Sequence, residues 1–124
     1  MDKYKNKITF VVCSCQRLNC FISSINNFFN NCLDHHLIYE YIVIDDNSSE
    51  NDRNIMKNKY PNFKFILKND NEKGHSKSLN MIPELVKTKY FLNWEDDCEF
   101  LHKKNYISEA IQILESRNAN LFNI

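Results

Sequence analysis

Long apolar runs, net charge, glycine, proline and paired cysteines are all scarce in this 124-residue chain. No apolar stretch approaches the roughly 18 residues of a helical membrane span, so none is expected. Sixteen basic residues balance 16 acidic ones, which leaves no electrostatic case for a nucleic acid or an anionic membrane as partner. The five cysteines, Cys13, Cys15, Cys20, Cys32 and Cys98, are odd in number and include no Cys-x-x-Cys pair. Cys13 and Cys15 with His35 and His36 match no common zinc spacing, so free thiols are expected, with the two histidines in an exposed loop. The single glycine and two prolines, against a surplus of Asn, Lys and Ile, read as the bias of an AT-rich genome. The N-terminal MDKYKNKITFVVCSC is basic and then apolar, like a secretion signal. Its apolar part is short and lacks a small-residue cleavage site, so it reads as the first strand of a cytoplasmic protein.

What is present suffices for a core. A chain of this length buries roughly two-thirds of its unfolded surface without staples, and residues 1–124 show no repeat, linker or low-complexity block, so one domain is expected. Ile8–Ser14 (ITFVVCS) is a β-branched apolar run, the pattern of a strand buried on both faces. Leu18, Phe21, Ile22, Ile25, Phe28, Phe29 and Cys32 follow at helical spacing. Tyr39–Ile44 is a second strand, and Ser49 with Asp52 is placed as a capping box for a helix over residues 50–58, stopped by Pro61. Phe63–Leu67 is a third strand and Asn69–Gly74 a loop. Ser76–Val86 is a helix carrying Pro83, Lys89–Trp94 a fourth strand, residues 104–117 a helix, and Ala119–Ile124 one more strand. Strands alternating with helices predict a parallel sheet with helices on both faces.

In such sheets ligands bind beyond the carboxyl ends of the strands. That rule selects Cys15–Arg17, Asp45–Ser48 and Glu95–Asp97. At the last of these an aromatic strand breaks into three adjacent carboxylates, which raise one another's pKa and resist joint ionisation. A solvated turn dissipates that repulsion; a divalent cation bridging to phosphate exploits it. Asp45–Ser48 similarly fits either a helix-capping turn or a hydrogen-bonding site. Gly74 stands just ahead of a helix, where backbone can approach a ligand and the helix N-terminus favours an anion.

VVCSCQR ahead of a helix, VIDDNSS after the second strand, the loop NDNEKGHSKSLN and the strand-end EDD occur in that order. Together they resemble the nucleotide-sugar-binding half of family 2 glycosyltransferases with the GT-A fold, over roughly residues 7–100 and the elements that follow. The resemblance implies a Rossmann-like, three-layer α/β/α fold with a mostly parallel sheet. It implies a nucleotide-diphosphate sugar donor, Mn²⁺ or Mg²⁺, inverting transfer, and a glycan, lipid or protein acceptor. By the same resemblance Asp46 accepts a hydrogen bond from the base, while Asp45 supports the turn or reaches the ribose. Ser14 and Arg17 lie in the loop that wraps the nucleoside, Arg17 offering a planar donor fork. Gly74, Lys77 and Asn80 lie near ribose or pyrophosphate, Glu95 or Asp96 contacts ribose or sugar, and Asp97 binds the metal. Cys15 and Gln16 stand where Tyr-Asn is commoner, and Leu79 where an arginine is usual. The resemblance further implies a truncated chain that ends near the start of the acceptor-binding half, with the catalytic base unassigned. A nucleotide-binding module without transfer, or a plain α/β interaction domain, are the alternatives.

Overall fold

A computed structural model of the chain describes residues 2–118. Its centre is β1 (Ile8–Ser14), whose seven residues are all buried, as a run without polar alternation requires of an inner strand. β2 (Ile38–Asp45) and β4 (Tyr90–Glu95) flank it, and β3 (Lys64–Leu67) lies outside β2. The sheet order is β3-β2-β1-β4 and every pairing is parallel. α1 (Leu18–Asn31), α2 (Glu50–Lys59), α3 (His75–Leu85) and α4 (Tyr106–Ser116) complete the Rossmann-like arrangement.

Side-chain alternation along β1 separates two cores. Phe10 and Val12 meet α1 through Phe21, Ile25 and Phe28, with Met56 of α2 and Ile107 and Ile111 of α4 in the same cluster. The rings of Phe10 and Phe28 lie 4.6 Å apart and those of Phe28 and Trp94 5.3 Å apart. On the opposite face Val11, Cys13, Ile42 and Ile44 pack against Ile82 of α3. Helices on both faces are therefore present, three on one side and α3 on the other.

Several local expectations change. β4 alternates, with Trp94 4% exposed and Phe91 50%. It is an edge strand among the described residues, and the α3-side cluster is built on β1 and β2. The 69–74 segment contains a short 3₁₀ helix, Asp70–Glu72, closed by a capping box between Asn69 and Glu72. At α2 the Ser49 hydroxyl accepts from the Asp52 amide at 3.1 Å, the N-cap half of the expected motif. His35 and His36 belong to a 3₁₀ turn, His35–Leu37, and His35 is half-buried with its ring edge-on to Phe29 at 5.0 Å. Burial lowers the His35 pKa. The expected strand at Ala119–Ile124 lies outside the described residues.

Two side chains from distant segments hold the C-terminal elements in place. Buried Asp34 accepts from the amides of Ile107 (3.1 Å) and Ser108 (2.7 Å) and so caps α4. Asn27 clamps the backbone of Phe100, accepting at 2.6 Å and donating at 3.2 Å.

Candidate active site at the strand ends

Parallel strands deliver their carboxyl ends to one edge, and register decides which side chains become neighbours there. Ser14 pairs with Asp45 across β1 and β2, and Cys13 with Glu95 across β1 and β4. The first two loops are then tied together. The Asp46 amide donates to the Ser14 carbonyl at 2.7 Å, the Gln16 amide to Ser48 Oγ at 3.0 Å, and Gln16 Nε2 to the Asn47 carbonyl at 2.9 Å. Gln16 (φ 54°) and Asn47 (φ 64°) both take the left-handed conformation at this crossing, uncommon for residues with a Cβ and frequent at functional loops.

Asp45 is fully buried. Its Oδ1 accepts from Ser14 Oγ (2.7 Å) and Ser48 Oγ (2.6 Å), and its Oδ2 from Arg53 Nε (2.6 Å) and the Ser48 amide (3.3 Å). Both oxygens are thus occupied by the chain itself. Asp46 differs. Its Oδ2 accepts from the Gly74 amide at 2.9 Å and lies 3.7 Å from Lys68 Nζ. Its Oδ1 is buried without a hydrogen-bond partner among the described residues. Gly74 has φ 112° and ψ 144° and caps α3, a backbone that L side chains rarely adopt.

The acidic turn after β4 rests on Ser24 of α1. That hydroxyl donates to the carbonyls of Glu95 (3.0 Å) and Cys98 (2.9 Å) and accepts from Trp94 Nε1 (2.6 Å). Asp96, 3% exposed, receives a hydrogen bond from Arg17 Nη2 on Oδ1; its Oδ2 is buried without a hydrogen-bond partner among the described residues. Arg17 Nη1 also lies 3.9 Å from Asp97, whose side chain is 61% exposed. Burial raises the Asp96 pKa; Arg17 opposes the shift and the Asp97 charge adds to it. The Asp96 charge in turn raises that of Arg17.

Ser14, Arg17, Asp46, Glu95 and Asp96 line one cleft of about 420 Å³, within the usual range for a small-molecule site. Cys13 lines its floor, where burial and then the Glu95 charge push the thiol up to about 11. Asp97 instead lines an adjoining recess of about 270 Å³ beside Asn19 and Cys20 of α1. Asp45 is fully buried and does not line the cleft. Lys77 is exposed and donates to the Asn71 carbonyl at 2.7 Å, and Asn80 is exposed further along α3. Sequence reasoning missed His75 and Ser78, which line the cleft, and Lys68, whose side chain is 0% exposed. The strand-end rule applied to β3, as to the other strands, selects Lys68.

Among the described residues no three His, Cys, Asp or Glu side chains converge as a ready metal cage. A magnesium- or manganese-type ion does not require one, because it commonly takes one or two carboxylates with substrate phosphates and water. The exposed Asp97 carboxylate fits that donor set. No helix among the described residues is long and apolar enough to cross a membrane.

The family model for glycosyl transferase family 2 matches residues 9–122. No curated protein and no solved structure matches the chain.

Proposed function

The chain belongs to glycosyl transferase family 2, and on that premise we propose that its strand-end cleft binds a nucleotide-diphosphate sugar for transfer to an acceptor hydroxyl. The observation that carries this reading is the pair of buried, unpartnered carboxylate oxygens, Asp46 Oδ1 and Asp96 Oδ2, on the walls of one cleft. A buried acceptor without a donor costs about 1–3 kcal/mol, more when charged. A nucleoside supplies the missing donors: a base N–H for Asp46 and a ribose hydroxyl for Asp96.

Each remaining side chain has a role within this reading. Ser14 and Asp45 hold the floor of the base site. Gly74 brings backbone close to the ligand, and Lys77 and Asn80 extend the site along α3 toward ribose or diphosphate. Glu95 faces the sugar side. Arg17 already lies between Asp96 and Asp97 and turns its fork to the diphosphate when a donor arrives. Asp97 would hold Mn²⁺ or Mg²⁺, which would neutralise the leaving diphosphate. The acceptor and the base that deprotonates it are left unassigned. A cytoplasmic location belongs to the same reading and is supported by five free cysteines.

The test is calorimetry with UDP, GDP and CDP, with and without Mn²⁺, followed by sugar transfer from the matching donors to a panel of acceptors. Metal-dependent binding of one nucleotide is expected. Binding of none overturns the proposal, and binding without transfer leaves a nucleotide-binding module.

A further inference from the structure

We propose that Lys68, at the end of β3, is a positioning residue for the nucleobase, holding Asp46 by one carboxylate oxygen, Oδ2, and leaving Oδ1 for the base. The inference rests on the reading of Asp46 as the base contact. A carboxylate has two equivalent oxygens, and a freely rotating one presents neither reliably. Here Oδ2 faces the Gly74 amide at 2.9 Å and Lys68 Nζ at 3.7 Å, while Oδ1 is buried and has no partner among the described residues.

Lys68 acts on Asp46 by two routes. Its ammonium faces Oδ2 directly. It also donates to the Gly74 carbonyl at 2.8 Å, and the amide of that same glycine donates to Oδ2. A second donation, to Ser78 Oγ at 2.7 Å, anchors the ammonium on α3. The lysine backbone is fastened as well: its amide donates to the Asp45 carbonyl at 3.0 Å, and its carbonyl accepts from Arg53 Nη2 at 3.1 Å. One residue therefore joins the Asp45–Asp46 turn, the Gly74 corner and the first turn of α3. A lysine is almost never so fully buried unless its charge is paired, and the partners here all belong to the wall that carries Asp46. An acceptor held in place before the ligand arrives binds more tightly than one that must be ordered on binding.

The test is a double-mutant cycle on the full chain, using whichever of UDP, GDP and CDP binds most tightly with Mn²⁺. Lys68→Met is expected to weaken binding about tenfold in the wild-type background. In the Asp46→Ala background it is expected to change binding by less than about twofold, because the group it positions is gone. A merely structural lysine gives the same loss in both backgrounds, and that additivity overturns the proposal, as does an unchanged affinity in Lys68→Met. If Lys68→Met does not fold, Ser78→Ala removes the 2.7 Å anchor and keeps the charge. Absence of coupling between Ser78→Ala and Asp46→Ala then overturns it. If a nucleotide binds but Asp46→Ala leaves its affinity unchanged, the base assignment fails and this inference with it. If no nucleotide binds, the proposed function itself fails.

Discussion

Asp45-Asp46 and Asp96-Asp97 are the same dipeptide at the ends of two strands of one sheet, yet the protein treats them differently. In the first pair the fold satisfies one member completely and half of the other: Asp45 has four donors, and Asp46 keeps a single unpartnered oxygen. In the second, one side chain at the N-cap of α1, Arg17, reaches both acids, and the buried Asp96 still has an oxygen without a partner among the described residues. The cause is the set of donors at each strand end. Ser14 of the adjacent β1, Ser48 of the following turn and Arg53 of α2 converge on Asp45. β4 has β1 on one side only among the described residues, and fewer donors reach its turn. A carboxylate enclosed by its own chain supports the fold; one left short of donors carries an unmet hydrogen-bonding demand.

That contrast is broken most severely at Asp45. Asp45→Asn removes the charge opposite Arg53 inside a buried network and is expected to cost about 3–5 kcal/mol, read as a lower urea midpoint. A loss below 1 kcal/mol means that Asp45 is no more structural than Asp97.

Asp97→Asn sharpens the other side of the comparison. Its side chain is 61% exposed, so stability is expected to stay within about 0.5 kcal/mol while Mn²⁺-dependent nucleotide binding disappears. Wild-type affinity across a manganese titration contradicts the assignment. Asp46→Ala stands between these extremes. Losing one charged acceptor for the base is expected to weaken nucleotide binding by about 1.5–3 kcal/mol, roughly 10- to 150-fold. Calorimetry without metal isolates that loss, and an unchanged affinity reduces Asp45–Ser48 to a turn.

Cys13 lies on the cleft floor between the two pairs and reports burial there. Its thiol pKa rises from 9.0 to about 11 in the folded chain, so between those values the native state keeps a proton that the unfolded state releases. The associated stability is complete below pH 9 and is lost as pH rises through about 11. Urea unfolding is expected to show a decline of about 2 kcal/mol over that range, shallower in Cys13→Ala. An identical alkaline slope in the variant excludes Cys13 as its source. The smallest effect is expected from Arg17→Ala. Arg17 is 53% exposed but its partner Asp96 is only 3% exposed. Losing the pair leaves a buried carboxylate short of a donor and is expected to cost about 1 kcal/mol, read as a lower urea midpoint, while nucleotide affinity falls a few-fold. An unchanged midpoint means that Asp96 does not depend on Arg17.

Local pattern alone makes much of this legible. The unbroken apolar run of Ile8–Ser14 identifies the central strand, and the spacing of Phe21, Ile25 and Phe28 identifies the face that α1 buries. The order of strands and helices identifies a parallel sheet, and therefore the edge where polar residues gather. Lys68 was harder to read because a lysine at a strand end normally signals solvent; only the approach of Gly74, Ser78 and Asp46 makes it a buried hub. His35 in a polar stretch reads as exposed until Phe29 covers one side of its ring.

By itself the sequence determined the secondary-structure order, the inner strand and the positions of both acid pairs, because hydrophobic periodicity and turn chemistry are short-range properties. Tertiary structure alone decided that Asp45 is enclosed while Asp96 is left with an orphan oxygen, that Asp34 caps a helix 73 residues away, and that Lys68 reaches Asp46. Those outcomes depend on strand register and on which loops meet at one edge of the sheet. Identical carboxylates differ only in the donors that folding brings within about 3 Å of their oxygens.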